Sequence, residues 1–447
     1  MMIKSKSMDM TTGSIPRNII IFAIPILIGN FFQQMYNMVD TAVLGRFVSA
    51  DALAAVGTTT PVTTLIIGIM IGMSSGISIV LAQKVGEGGR TGGAIANGIW
   101  LMLAISVVIT VVGLLAAPAI LRLMDVPEEL MEDALSYANI LFIGTLATAA
   151  YNYESGILRA YGNSIVPLVF LIITSLMNVV LDILFVQAFS MGVEGVALST
   201  IISQFCSAAL CLIYIMKKAP ELHVSREDWK PDWAIIRRHI KTGTPVALSQ
   251  SCLGLSFLVA QTALNSLGAA SISAYTAASK MDTLAYMVMG GFATSIATFT
   301  AQNYGKKEYE RVRKGVRTGL IITVIAALAL MGFNYLFGGG FMSLFVGKNE
   351  PEIFDMGLRY MHLSALFYLS LCCDFILQQG LVGVGKTIAS TLVCVSEIAT
   401  RIVTTYLLVY RLGFFGMIFV SPCCWTVSSL LLIVIYQPLM KRAGVIS

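Results

Sequence analysis

The chain has 447 residues, of which 57% are apolar and only 12% charged, with a net charge of +5 and a mean hydropathy of +0.82. A soluble protein carries about 25% charged residues, so there is too little polar surface here to cover a water-soluble globule, and lipid must solvate much of the chain. The small positive excess gives no reason to expect a nucleic-acid partner.

The leader MMIKSKSMDMTTGSIPRN is polar for longer than the basic stretch of a secretory signal and has no small-residue cleavage site. The first apolar run is therefore expected to be retained. Windows of about 20 apolar residues, enough to cross ~30 Å of hydrocarbon, recur from there onward. The first six predict helices near 17–46, 52–82, 92–118, 130–157, 163–188 and 194–217. Helix one carries Gln33, Gln34, Met35, Tyr36 and Asp40. Helix five carries Asn178 and Asp182, four residues apart and so on one face. Helix six carries Thr200.

The longest polar connector, KKAPELHVSREDWKPDWAIIRRHIK from Lys217 to Lys241, follows. Its proline, tryptophans and mixed charges predict an interfacial tether. Six more helices are predicted near 233–266, 271–303, 312–337, 352–382, 387–411 and 414–440. Lys280 and Asp282 are two apart on one of them and need partners on other helices. Asp374 has no partner within a helical turn, whereas Glu397 and Arg401 form an i, i+4 acid–base pair that reads as a structural ion pair. The eight cysteines all lie in apolar runs and read as small hydrophobes.

With both termini placed in the cytoplasm, 22 of the 29 Lys and Arg fall on the inner side, among them Lys4 and Lys6, and five on the outer, including Lys348. The inverted arrangement would break the positive-inside rule. A multi-pass protein of the cell membrane with cytoplasmic termini is expected.

The second half repeats the first. Shifting by 219 positions lays IGMSSGISIVLAQKVG on GGFATSIATFTAQNYG, matching Gly72 with Gly291 and Gln83 with Gln302. A shift of 220 aligns Pro25 with Pro245, and a shift of 223 aligns LSYANI with LRYMHL. Six helices per half return the chain to its starting side, so the halves insert in parallel. The predicted architecture is an all-α membrane protein of twelve transmembrane helices in two six-helix lobes around a central cleft. Its divisions are an N-lobe at 1–218, a cytoplasmic linker at 219–241 and a C-lobe at 242–447. Parallel repeats suit alternating access.

Ionisable groups are expensive inside a bilayer and mark function by default. Asp40 and Asp182, with the amide of Asn178 and the hydroxyl of Thr200, offer oxygen ligands suited to a hard cation such as sodium. The acids could instead share a proton, because burial and mutual repulsion disfavour two negative charges. They could also be helix-end residues near the headgroups. Gln33, Gln34, Met35 and the methionines offer an adaptable lining for a substrate cleft, to which Asp374 is a further candidate. No enzyme constellation stands out: His223, His239 and His362 are scattered, and GVGKT at 383–387 lacks the first glycine of a P-loop.

QQMYNMVDTAVLGRF, GILRAYGNSIVPL, NVVLDILF, GVALSTIISQ, AYTAASKMDTLAY and TFTAQNYG, in this order, resemble the multidrug and toxic compound extrusion family. The chain is most similar to its DNA-damage-inducible and archaeal branch. The resemblance implies cation-coupled export of cationic or amphiphilic drug-like compounds, with H+ or Na+ as coupling ion and no other cofactor. It implies a coupling site at Asp40, Asn178, Asp182 and Thr200, with Tyr36 and Tyr137 beside it, and a possible sodium ion on the first four. A helix-seven glutamate used elsewhere in the family has no counterpart in VALSQSCLGLSF. Small-molecule substrates and membrane lipids are the expected partners of a monomer. A lipid-linked saccharide flippase is the alternative transporter, and an intramembrane enzyme the alternative from another class.

Overall fold

The computed structural model describes residues 7–124, 126–346 and 350–446. Lys4, Lys6, Lys348 and the side chain of Cys252 lie outside what is described. The described residues form helices α1 (Ile15–Val43), α2 (Ala50–Glu87), α3 (Gly92–Leu123), α4 (Glu128–Ile143), α5 (Thr145–Ala160), α6 (Ile165–Ile183), α7 (Val193–Lys218) and α8 (Trp233–Asn265). The remainder are α9 (Ala269–Gly305), α10 (Tyr309–Met342), α11 (Pro351–Ala365), α12 (Tyr368–Gly383), α13 (Ile388–Thr404), α14 (Tyr410–Leu412), α15 (Phe414–Ile418) and α16 (Val420–Arg442).

Each predicted span has its helical counterpart, but two are bent. The span predicted near 130–157 is α4 and α5, inclined by 46°, and the one near 352–382 is α11 and α12, inclined by 48°. Among the described residues nine helices are long and apolar enough to cross a membrane, and eleven spans result when each bent pair counts as one. π-helical turns extend three helices, at Leu44–Val48, Leu184–Ala188 and Thr405–Val409. They begin four residues after Asp40, two after Asp182 and four after Arg401. An inserted residue of this kind frequently accompanies functional side chains.

The helices group into two compact units. Unit 1 holds Ile24–Ser251 and the segment ahead of Met10, and unit 2 holds Met10–Ala23 and the chain from Cys252 onward. The division therefore falls inside α1 and α8, whereas the sequence placed it at 219–241. Within unit 1, small residues explain the difference. Gly68, Gly72 and Gly76 of α2 recur every four residues, and α8 presses its backbone onto them. A Cβ on Gly72 would come within 2.3 Å of the Ala247 Cα, and one on Gly76 within 2.3 Å of the Gly243 Cα. Such rows of small residues let membrane helices approach closely. Arg238 also donates to Gln83 Oε1 at 2.9 Å.

Within unit 2 the residue aligned with Gln83 does the matching work. Gln302 Oε1 accepts from the Met10 N–H at 3.2 Å. Asn303 donates to Met10 O at 3.1 Å and Arg311 to Thr12 O at 2.8 Å. The duplicated Ala-Gln motif thus holds the chain entering α1 through Gln302 and the opening turns of α8 through Gln83.

The linker packs on unit 1. Trp100 donates to Trp229 O at 3.2 Å, and the two rings meet edge to face at 6.0 Å. Asp228 accepts from the Ser225 N–H at 2.8 Å and hydroxyl at 2.6 Å, with Arg90 at 3.6 Å.

Candidate functional site

Three helices of unit 1 bring the first-half polar residues together. Asp182 and Asn178 of α6 are 0% and 1% exposed, so neither acid nor amide can borrow hydration from bulk water. Ser199 of α7 joins them: its hydroxyl donates to Asp182 Oδ1 and accepts from Asn178 Nδ2 at 3.3 Å. Thr200, the next residue, reaches Asp40 Oδ2 of α1 at 3.5 Å. The Asp40 and Asp182 carboxyls face each other within hydrogen-bonding range. Tyr137 of α4 and Tyr36 lie in electrostatic reach of Asp40.

Asp40 Oδ1, Asp182 Oδ2 and Asn178 Oδ1 are buried, and among the described residues no donor reaches them. Two ionised carboxylates this close repel, and neither supplies a donor to the other. A shared proton, or a small cation among the free oxygens, removes both deficits. The donors are all hard oxygens, the ligand class of sodium rather than of softer metals. Among the described residues no three His, Cys, Asp or Glu side chains converge, so neutral oxygens must complete any coordination shell.

The other candidates are distributed differently. Gln33 and Gln34 are half-buried on α1 and Met35 is 46% exposed. Asp374 is on α12 in unit 2, 4% exposed, with an Oδ1 that no donor reaches among the described residues. Its electrostatic neighbour is Glu397 of α13, which in turn lies in reach of Arg401. Arg401 is 1% exposed and donates to Ser421 Oγ at 3.3 Å. Lys280 is exposed. Asp282 finds its partners on α11 and α12, accepting from Tyr360 at 2.8 Å, Ser364 at 3.1 Å and Tyr368 at 2.9 Å.

Ser199 is the member that sequence reasoning missed. Its signal was the four-residue recurrence of serine along α7, at Ser199, Ser203 and Ser207.

Nine long apolar helices among the described residues, eleven spans with the bent pairs, define a multi-pass membrane protein. The chain belongs to the MatE family, whose model matches residues 25–184 and again 245–407. It is thus a secondary transporter of the multidrug and toxic compound extrusion kind and not an enzyme. It is 28% identical over 391 residues to the probable multidrug resistance protein YpnP of Bacillus subtilis, covering 87% of this chain and 86% of that one. It is 24% identical over 413 residues to the probable multidrug resistance protein NorM of Thermotoga maritima, covering 90% and 88%. A solved structure described as the outward-facing conformation of a multidrug resistance MATE family transporter of the MOP superfamily has the same fold. The TM-score is 0.91 at 22% identity, covering 98% of this chain and 100% of that one.

Proposed function

We propose that this chain exports cationic or amphiphilic drug-like compounds in exchange for H+ or Na+ bound between Asp40 and Asp182, with both termini in the cytoplasm. The pair of carboxylate oxygens that no donor reaches among the described residues carries the reading. The multidrug resistance names of its relatives support the substrate class, and the 22-to-five division of Lys and Arg supports the orientation.

The exchange follows from electrostatics. With the site empty of positive charge, the carboxylates repel, and α1 moves away from α6 and α7 at modest cost. A proton or sodium ion draws Asp40 against Asp182, Thr200 and Asn178 and so closes α1 onto α6 and α7. Substrate that occupied the space beside α1 is displaced as the ion binds. Because ion and substrate favour different α1 positions, each weakens the other's binding by the same factor. A flippase for anionic lipid-linked sugars needs a cationic lining, and of the 29 Lys and Arg only Lys280 and Arg401 lie deep in the predicted spans, so the chain offers little of one.

The test is dye efflux by the full chain in everted vesicles under separately imposed proton and sodium gradients. One gradient should drive efflux by the native chain. Asp40→Asn and Asp182→Asn, inserted at native levels, should abolish it, and native rates in both variants would overturn the reading.

A further inference from the structure

Small polar side chains follow one another along α7 at four-residue intervals: Ser199, Ser203, Ser207 and Cys211, all buried. That spacing aligns them on one helix face. α6 presents a matching row of Asp182, Asn178, Ser175 and Thr174, also buried. The rows are cross-linked at two levels. Ser199 ties Asp182 and Asn178 at one, and Thr174 and Ser207 share a 2.6 Å hydrogen bond at the other. Eight residues of α7 separate the rungs, which is ~12 Å along the helix.

Between the rungs lies a cavity of about 10 Å³, room for a single water, lined among others by Asn178, Ser175, Ser203, Gln204 and Ser207. Asn178 Oδ1, Ser175 Oγ, Ser203 Oγ and Gln204 Oε1 are buried and, among the described residues, unpartnered. Ser175 and Ser203 are each 7% exposed, so bulk water does not satisfy them. A dry cavity would strand four polar atoms, each at the full cost of desolvation. Water, or a cation shedding water, needs two to four polar partners, and these atoms supply them in a row that starts at the coupling acids. Beyond the second rung Cys211 continues the row, with Glu154 and Arg159 of α5 in electrostatic reach.

The geometry points to a route for the coupling cation: it passes along the α6–α7 seam between Asp182 and the end of unit 1 where α7 finishes at Lys217 and Lys218. The Thr174–Ser207 hydrogen bond is its closure. The route rests on the coupling role proposed for Asp40 and Asp182 and adds the path by which that site fills or empties. Hydroxyl and amide groups pass a proton along ordered waters and also coordinate sodium, so the two gradients form separate arms of the test.

The experiment uses the full chain in liposomes, with ethidium efflux driven by either gradient. Ser203→Leu fills the cavity with an apolar side chain and should slow driven efflux about tenfold or more while ethidium binding persists. Phe205→Leu, on the opposite face of α7 where Phe205 is 64% exposed, should stay within about twofold of native. Native efflux by a Ser203→Leu chain that binds ethidium overturns the route. Should that variant fail to fold, Ser203→Cys in a chain with its native cysteines replaced by alanine gives the second measurement. A small cationic methanethiosulfonate should modify it from the Lys217 side, more slowly when the coupling cation is present; modification only from the other side, or none, overturns the route. The two ideas fail separately. Normal coupling in Asp182→Asn removes the coupling role itself, whereas loss of coupling there with native efflux in Ser203→Leu removes only the route.

Discussion

The Tyr360 hydroxyl donates to Asp282 Oδ2 at 2.8 Å, and the residue aligned with Tyr360 in the first half is Tyr137, which lies in reach of Asp40 and Asp182. Each unit therefore sets a tyrosine from its bent span against a buried acid, with opposite accounting. Tyr368 and Ser364 also serve Asp282 through Oδ1, so three hydroxyls satisfy the anion. In unit 1 the acids retain oxygens that no donor reaches among the described residues. A satisfied anion fastens helices together, while the unsatisfied pair is the one proposed above to take up a cation.

Asp282 is accordingly expected to act on stability rather than on coupling. Its donors flank the 48° bend between α11 and α12, so the carboxylate pins both arms to α9. Tyr360→Phe removes one hydrogen bond to a charged group, worth about 1.5–3 kcal/mol, and Asp282→Ala strands three hydroxyls and should cost more. Thermal unfolding in detergent measures both. The cation concentration giving half-maximal efflux should not move in Tyr360→Phe, and a tenfold change there would contradict the fastening role.

The number of partners ranks the two hydroxyls of the unit 1 site. Ser199 bridges Asp182 and Asn178, whereas Thr200 meets Asp40 only at 3.5 Å, the weak limit for such a bond. Ser199→Ala should shift the half-maximal cation concentration by about tenfold or more, the equivalent of ~1.4 kcal/mol, and Thr200→Val by less than about threefold. Titrated efflux in vesicles reads both. The reverse order would show that Thr200, not Ser199, sets the site's affinity.

The α2–α8 contact in unit 1 leaves no room for a side chain. With Gly243 Cα 2.3 Å from where a Cβ on Gly76 would stand, Gly76→Ala must push one backbone off another. Overpacking of this kind typically costs about 1–3 kcal/mol, and Gly76→Leu should exceed that and lower the yield of folded protein. Gly57, whose Cβ would meet nothing within 4 Å, is the control: Gly57→Ala should insert and unfold like the native chain.

Apolar run length made the spans legible, because lipid demands about 20 such residues whatever the packing. The i, i+4 spacing of Asn178 and Asp182 made their shared face legible for the same kind of reason: it is local geometry. What the sequence hid was tertiary. The bends at Gly144 and at Leu366–Phe367 interrupt runs that stay apolar throughout, so hydropathy passes over them. The π turns beyond Asp40 and Asp182 carry no residue signature. The meeting of Asp282 with Tyr360 and Tyr368 depends on helix packing, not on spacing along one helix. Division of the chain at α8 rather than in the linker depends on Gly72 and Gly76 having backbone for neighbours.

Docking of the linker on unit 1 should give way in acid. Ser225, through its hydroxyl and N–H, holds the Asp228 carboxyl below the usual carboxylate range, and Arg90 adds to the effect. Asp228 also lies at the start of α3, where a Cβ on Gly92 would approach its Oδ2 to 2.4 Å, and a negative charge is favourable at a helix N-terminus. A carboxyl whose folded value is depressed contributes stability above its unfolded value, near ~3.9, and loses that contribution as pH falls through the folded value. Linker docking should therefore be constant from about pH 8 to pH 5 and weaken below about pH 4. Tryptophan emission reads it, because Trp100 and Trp229 separate when the linker lifts. Asp228→Asn should lie partly undocked at neutral pH and show no further acid transition; an unaltered transition in that variant would place the sensitive group elsewhere.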